Sequence, residues 1–128
     1  MDFSDSANLD NLISAYFRRF TKDCEEDFWA FEEVDDLVRH EPEMAWKMIL
    51  LLLQQAPSKK ALSYVAAGPL EDLIKRHGFN FRERIIGEAS RNKRLLYALM
   101  HVIIDDEEID ALPEKYGFSE NDEIDAII

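Results

Sequence analysis

Three histidines, His40, His77 and His101, are the residues of this sequence best suited to acid–base or metal chemistry. His40 and His77 each fall near the carboxyl end of a predicted helix, where the helix dipole stabilises a positive charge. His101 lies in a nearly continuous apolar stretch, which is typical of a core histidine with satisfied nitrogens. No pair of His or Cys has zinc-site spacing, and Cys24 lies in no nucleophile motif. We therefore expect structural roles for the histidines and no bound metal.

Acidic residues also recur in adjacent pairs, of which Asp35-Asp36 and Glu71-Asp72 are two examples. Glycosidase-type or two-metal chemistry needs carboxylates that converge in a cleft, whereas this spacing is typical of solvated helix faces. The run Asp105 to Asp110 lacks the glycine and the alternating ligands of an EF-hand loop. The pattern predicts no catalytic residue, no cofactor and a function other than catalysis. An enzyme is the alternative only if these carboxylates or histidines converge in space.

Charge is distributed unevenly along the 128 residues, whose formal net charge is −12. Residues 1–40 carry a net −7, residues 41–104 a net +4, and residues 105–128 a net −9. Nucleic acids and anionic membranes select basic faces, so neither is expected as a partner. A basic protein is the natural complement, although acidic ends also serve solubility alone.

No apolar run approaches the roughly 18 residues of a membrane span, and the first residues are acidic where a secretory signal would be basic. A single cysteine, Cys24, cannot form an intramolecular disulfide. These features predict a protein of the reducing cytoplasm.

The elements that must position these residues are predicted to be helices throughout. Apolar residues recur at three- and four-residue steps, and four Gly with four Pro leave little material for a loop-rich β fold. An offset of 36 residues places Val34 to Arg39 over Leu70 to Lys75. This repeat predicts an all-α domain over residues 1–110, with six to seven helices stacked as HEAT-like hairpins, followed by a partly docked acidic tail over residues 111–128.

Local signals predict the helix boundaries. Pro42 begins a third helix that is apolar on most sides and therefore central. Ser58 and Asn92 are predicted N-caps of the fourth and seventh helices, and the seventh is expected to end near Asp105. Gly68-Pro69 is predicted to separate the fourth helix from a fifth, and Gly78 to separate the fifth from a sixth.

Three segments, residues 27–38, 41–46 and 61–74, resemble a family of small, mostly bacterial helical domains of unassigned function. The most specific part is the run Ala-Ala-Gly-Pro-Leu-Glu-Asp-Leu at residues 66–73. The resemblance implies no catalytic residues. In type rather than in motif, a small, acidic, helical protein is similar to the immunity proteins that bacteria make against secreted toxins.

The leading hypothesis is a non-catalytic acidic protein, an immunity or inhibitor protein that neutralises a basic toxin or effector, with a secreted bacterial toxin as the candidate partner. Trp29 is the predicted anchor. The predicted contact residues fall in two clusters, one on the second helix and one after the seventh: Trp29, Glu32, Glu33, Asp35 and Asp36, and Asp105, Asp106, Glu107, Glu108 and Asp110. The alternative is a HEAT-like adaptor or scaffold that binds through an apolar groove between helical repeats. Nothing in the sequence predicts the oligomeric state.

Overall fold

A computed structural model describes residues 6–22, 25–122 and 124, and the regular elements in these ranges are all helical. The all-α prediction is confirmed. The helices are α1 (Ser6–Lys22), α2 (Phe28–His40), α3 (Pro42–Gln55), α4 (Lys59–Val65), α5 (Glu71–Ala89), α6 (Lys93–Leu99), α7 (Glu107–Asp110) and α8 (Leu112–Lys115), with a 3₁₀ turn at Glu25–Asp27 and a π-helical turn at Ala66–Leu70.

Helix α3 lies at the centre of the fold, as its apolar circumference predicts. It contacts α2, α4, α5, α6 and the π-helical turn. Its fully buried side chains include Met48, Ile49, Leu52 and Leu53. Buried side chains of the other helices pack around it, so the hydrophobic core is arranged around α3.

Gly68 and Pro69 do not end a helix, so the predicted break at this point is wrong. Helix α4 continues through the π-helical turn directly into α5. The amide of Glu71 donates to the carbonyl of Ala66, five residues back, and this wider hydrogen-bonded ring spans Pro69, which has no amide proton. Burial of Pro69 and Leu70 fixes the turn against the core. Tertiary packing therefore overrides the local helix-breaking signal.

Gly78 also lies inside a helix, because residues 71–89 form the single helix α5. A terminating glycine usually adopts a positive φ, and among the described residues the glycine with that geometry is Gly117, at 65°. The first copy of the 36-residue repeat is broken at Pro42, but the second copy contains no such break. Separate fifth and sixth helices were a wrong prediction.

Helix α6 ends at Leu99, earlier than the predicted end near Asp105. The amides of Met100, His101 and Val102 each donate to a carbonyl three residues back, which tightens the turn and ends the helix.

The predicted caps Ser58 and Asn92 are confirmed, since each side chain accepts a hydrogen bond from a backbone amide three residues on, at 3.1 and 3.0 Å. Within the segment predicted as a tail, Leu112, Phe118 and Ile124 are buried. Ile127, Ile128 and Cys24 lie outside the described residues.

Candidate functional site

Helix α2 presents two different faces to its surroundings. Ala30, Val34, Leu37 and Val38 are buried against the core. Trp29, Glu32, Glu33 and Asp36 follow one another at helical spacing, so these four side chains share a single outer face, which we call the acidic α2 face. Trp29 is 44% exposed, which is unusual for so large an apolar side chain.

The fifth predicted contact residue of this helix, Asp35, lies on a neighbouring face with Phe28 and Phe31. The two phenylalanine rings stack with centroids 5.6 Å apart, and both are more than a third exposed. Asp35 forms an ion pair with Arg39 at 3.0 Å, one turn further along the helix. The α2 cluster predicted from the sequence is therefore divided between two faces.

Asp27 anchors the start of α2, although its role was not predicted. Its carboxylate is buried and accepts two hydrogen bonds from the Arg18 guanidinium, at 3.1 and 2.9 Å. The hydrogen bond from Arg18 holds the pKa of Asp27 below its usual value. Burial raises this pKa, and the positive charge of Arg18 lowers it further. This ion pair joins α1 to the start of α2.

The second predicted cluster is only partly available at the surface. Asp106 accepts from Arg82 Nε at 2.7 Å and caps α7 by accepting from the amides of Glu108 and Ile109. Glu108 accepts from the same guanidinium. Burial raises the pKa of Asp106, but the hydrogen bonds from Arg82 and the two amides outweigh burial, so the pKa lies below its usual value.

Asp105, Glu107 and Asp110, the other members of this cluster, are exposed. Two of the five carboxylates thus hold the segment onto α5, and the other three face solvent.

The histidines occupy separate parts of the fold. His77 Nε2 lies 2.8 Å from the carbonyl oxygen of Val38 and links α5 to α2, whereas His40 lies 3.7 Å from Asp36 at the surface. His101 is not the satisfied core histidine that was predicted. Its Nε2 is 3.2 Å from Glu120 Oε1 but buried and without an aligned hydrogen bond.

A cavity of about 330 Å³ lies where α1, α2, α4 and the π-helical turn meet. We call it the π-turn cavity. Its lining combines three aromatic rings, two carboxylates and small side chains: Tyr16, Phe31, Val34, Asp35, Tyr64, Ala67, Gly68, Pro69 and Asp72.

Burial raises the pKa of Tyr16 in this cavity well above its usual value, and the charge of Tyr64 adds to the effect. The Tyr16 hydroxyl therefore stays neutral at any physiological pH and can both donate and accept a hydrogen bond.

Tyr16, Tyr64 and Asp72 were missed as site residues because an aromatic residue on an apolar stripe is normally core. One signal was present: two of the three segments that carry the family resemblance, residues 27–38 and 61–74, supply the cavity wall from α2 and from the π-helical turn.

A sequence model of one protein family matches residues 18–112, about three-quarters of the chain. The chain belongs to the family of unknown function DUF6869. The matched region contains α2 to α7 and every residue that lines the π-turn cavity except Tyr16. No curated protein and no solved structure matches the chain significantly.

Within residues 6–22, 25–122 and 124, no helix has the length and apolar character of a membrane span. In the same part of the DUF6869 chain, no three His, Cys, Asp or Glu side chains are grouped as metal ligands.

Proposed function

We propose that this DUF6869 protein is a non-catalytic binding protein whose acidic α2 face binds a basic protein. In this proposal it acts in the cytoplasm as an immunity or inhibitor protein against a basic toxin or effector. The observation that supports it most is the acidic α2 face itself, on which an exposed Trp29 is surrounded by the carboxylates of Glu32, Glu33 and Asp36.

Such a face has the composition of an interface centre and its rim. Tryptophan is enriched among the few residues that carry most of the binding energy, and surrounding charges exclude water and fix orientation. The net charge of −12 attracts a basic partner at long range and raises the association rate. Rim carboxylates mainly affect association and its salt dependence, whereas Trp29 affects dissociation.

The test compares two charge reversals of equal size. Glu32→Lys with Asp36→Lys changes the acidic α2 face. Glu107→Lys with Asp110→Lys changes the exposed part of residues 105–110, which we call the α7 segment. The partner is a basic protein that the unchanged chain captures, purified and titrated at low and at high salt. We expect the α2 pair to weaken binding at least about tenfold, equivalent to 1.4 kcal/mol, and to flatten the salt dependence.

If the Glu32→Lys, Asp36→Lys double variant binds the partner as tightly as the unchanged protein does, the acidic α2 face is not part of the interface. A cellular measurement tests the inhibitory role separately. Coexpression of this chain should relieve the toxicity of that partner, and the Trp29→Ala variant should relieve it less.

An adaptor is the second candidate. The surface that favours it lies beside α5 and is not the groove between helical repeats that the sequence predicted. A groove of about 760 Å³ runs between α5 and the α7 segment. Phe79 and Ile103 line it and are 94% and 80% exposed, so each offers apolar area that a partner would bury.

The adaptor function predicts that apolar contacts dominate binding. Phe79→Ser with Ile103→Ser should then abolish partner binding, because about 1.5–3 kcal/mol of burial is lost for each side chain. The α2 charge reversal should leave this binding unchanged. The two double variants therefore distinguish the candidates by opposite results in one titration.

A further inference from the structure

We propose that the π-turn cavity binds an organic cation, namely a guanidinium or primary ammonium group carried on a short apolar stem. Three properties of the cavity support this ligand: its size, its aromatic wall and an unpaired carboxylate.

The size of the cavity limits the ligand to a small group. A volume of about 330 Å³ lies near the lower end of the range for ligand pockets, about 300–1,000 Å³. A helix about 10 Å across does not fit such a space, but the end of a long side chain or a small amine does. Phe31 and Ala67 are exposed at the rim, whereas Tyr16, Val34 and Pro69 are buried at the floor. The ligand therefore enters past Phe31 and Ala67.

The aromatic wall favours a cation over a neutral group of the same shape. Tyr16 and Tyr64 lie with ring centroids 5.1 Å apart, and Phe31 adds a third ring. The faces of such rings attract ammonium and guanidinium groups within about 6 Å. The neutral Tyr16 hydroxyl can accept a hydrogen bond from either group.

Asp72 supplies the counter-charge. It is half-buried and lines the cavity, and among residues 6–22, 25–122 and 124 no side chain forms a hydrogen bond or ion pair with it. Asp35 is already paired with Arg39. A partly desolvated carboxylate without a partner stabilises an incoming cation, and it repels an anion.

This inference adds a binding site to the proposed function. It rests on that function only for the source of the cation. Phe31 at the rim stacks on Phe28 and lies on α2, so the cavity opens beside the acidic α2 face. The cation is therefore either an Arg or Lys side chain of the basic partner or a free small amine. Both share the same chemistry.

The test titrates the whole chain with butylguanidinium and with butylurea, which has nearly the same shape and no charge, while backbone amide shifts are followed by NMR. We expect saturable shifts at Gly68, Asp72 and their neighbours, with butylguanidinium binding at least about tenfold tighter than butylurea. Equal binding of the two compounds, or shifts spread along the acidic surface without saturation, would overturn the proposal.

Two substitutions in the cavity have matched controls. Asp72→Asn removes the counter-charge, and Glu114→Gln removes an exposed carboxylate of α8 that does not line the cavity. Gly68→Ala places a methyl group 3.7 Å from the Tyr16 hydroxyl, and Gly87→Ala makes the same change where nothing lies within 4 Å. Each cavity variant should weaken butylguanidinium binding about tenfold, and each control should leave it unchanged. Equal effects of variant and control would overturn the proposal.

A third titration identifies the source of the cation. The blocked peptide acetyl-Gly-Arg-Gly-amide should bind in the same place if the cavity takes a side chain of a protein partner. Exclusion of the peptide with retention of butylguanidinium assigns the cavity to a free small cation. These titrations need no partner protein, so loss of the proposed function and loss of this inference give separate results.

Discussion

At the scale of single residues, the ion pair between Asp27 and Arg18 makes a pH-dependent contribution to stability. The pKa of Asp27 is lowered in the folded protein, so the folded state favours the ionised carboxylate relative to the unfolded chain. This stabilisation is complete above the unfolded-state pKa of about 3.9. It is lost as the pH falls through the lower pKa of the folded state.

We therefore expect Asp27→Asn to lower the melting temperature at neutral pH, with a difference from the unchanged protein that shrinks as the pH falls below about 4. Thermal unfolding followed by circular dichroism over a pH series measures this. The neighbouring exposed carboxylate provides the control, since Glu26→Gln should change little at any pH. A difference that stays constant down to the lowest pH would contradict an origin in ionisation.

The sequence identifies every carboxylate, but it does not show which of them already have a partner within the protein and which are available to another molecule. Trp29, Glu32 and Asp36 can be placed on one face by counting helical turns. Asp106 and Glu108 could not be assigned to Arg82, because this contact joins residues 24 and 26 positions apart along the chain. Local spacing holds no information about such a pair.

At the scale of the elements, substitution of glycine by alanine is expected to stabilise the protein at two positions and to destabilise it at a third. Gly68 and Gly87 are in helical conformation with room for a methyl group, so alanine should stabilise each by up to about 1 kcal/mol. Gly117 has a φ of 65°, which disfavours any side chain, so alanine there should destabilise by about 1–2 kcal/mol. Chemical denaturation measures all three, and equal signs would contradict the conformations described.

Arg82 is expected to hold the short helix α7 in place. Arg82→Ala removes the donors to Asp106 and Glu108, so the amides of α7 should exchange faster with deuterated solvent, with little change in the exchange of α3. Arg84→Ala is the matched control, because Arg84 pairs with Glu43 of α3 instead. Equal acceleration by both variants would indicate general destabilisation.

Helix boundaries were predictable where side chains act locally. Ser58 and Asn92 cap their helices by bonding to amides three residues away, and such contacts can be inferred from sequence. The continuation of α4 into α5 was not predictable in this way. It depends on burial of Pro69 and Leu70 against other helices, which the local sequence does not describe.

At the scale of the whole molecule, stability is expected to depend on the side of α3 that faces the core. Leu52 is fully buried there, whereas the adjacent Leu51 is only partly buried. Leu52→Ala should cost about 2–5 kcal/mol of unfolding free energy, and Leu51→Ala clearly less. Denaturant titration gives both values, and equal losses would contradict the difference in burial between Leu52 and Leu51.

The all-α class was predictable because periodicity and composition act along the whole chain. The π-turn cavity was not, because its lining comes from residues 16 to 72 and needs the packing of α1, α2 and α4 to form. Tyr16 illustrates the difference. Its apolar spacing correctly predicts burial, but not the empty volume beside its hydroxyl.

The π-helical turn also determines how this chain tolerates changes in length. One turn of it holds about one residue more than an α-helical turn. Deletion of Ala67 would therefore convert the turn to ordinary α-helix and leave α5 nearly in phase with α4, because the turn already holds the extra residue. Deletion of Lys75, within the regular α-helical part of α5, would instead rotate the residues after it by about 100°. His77 would then point away from Val38, and Arg82 away from α7. The π-helical turn is therefore the place where this long helical segment tolerates the loss of one residue.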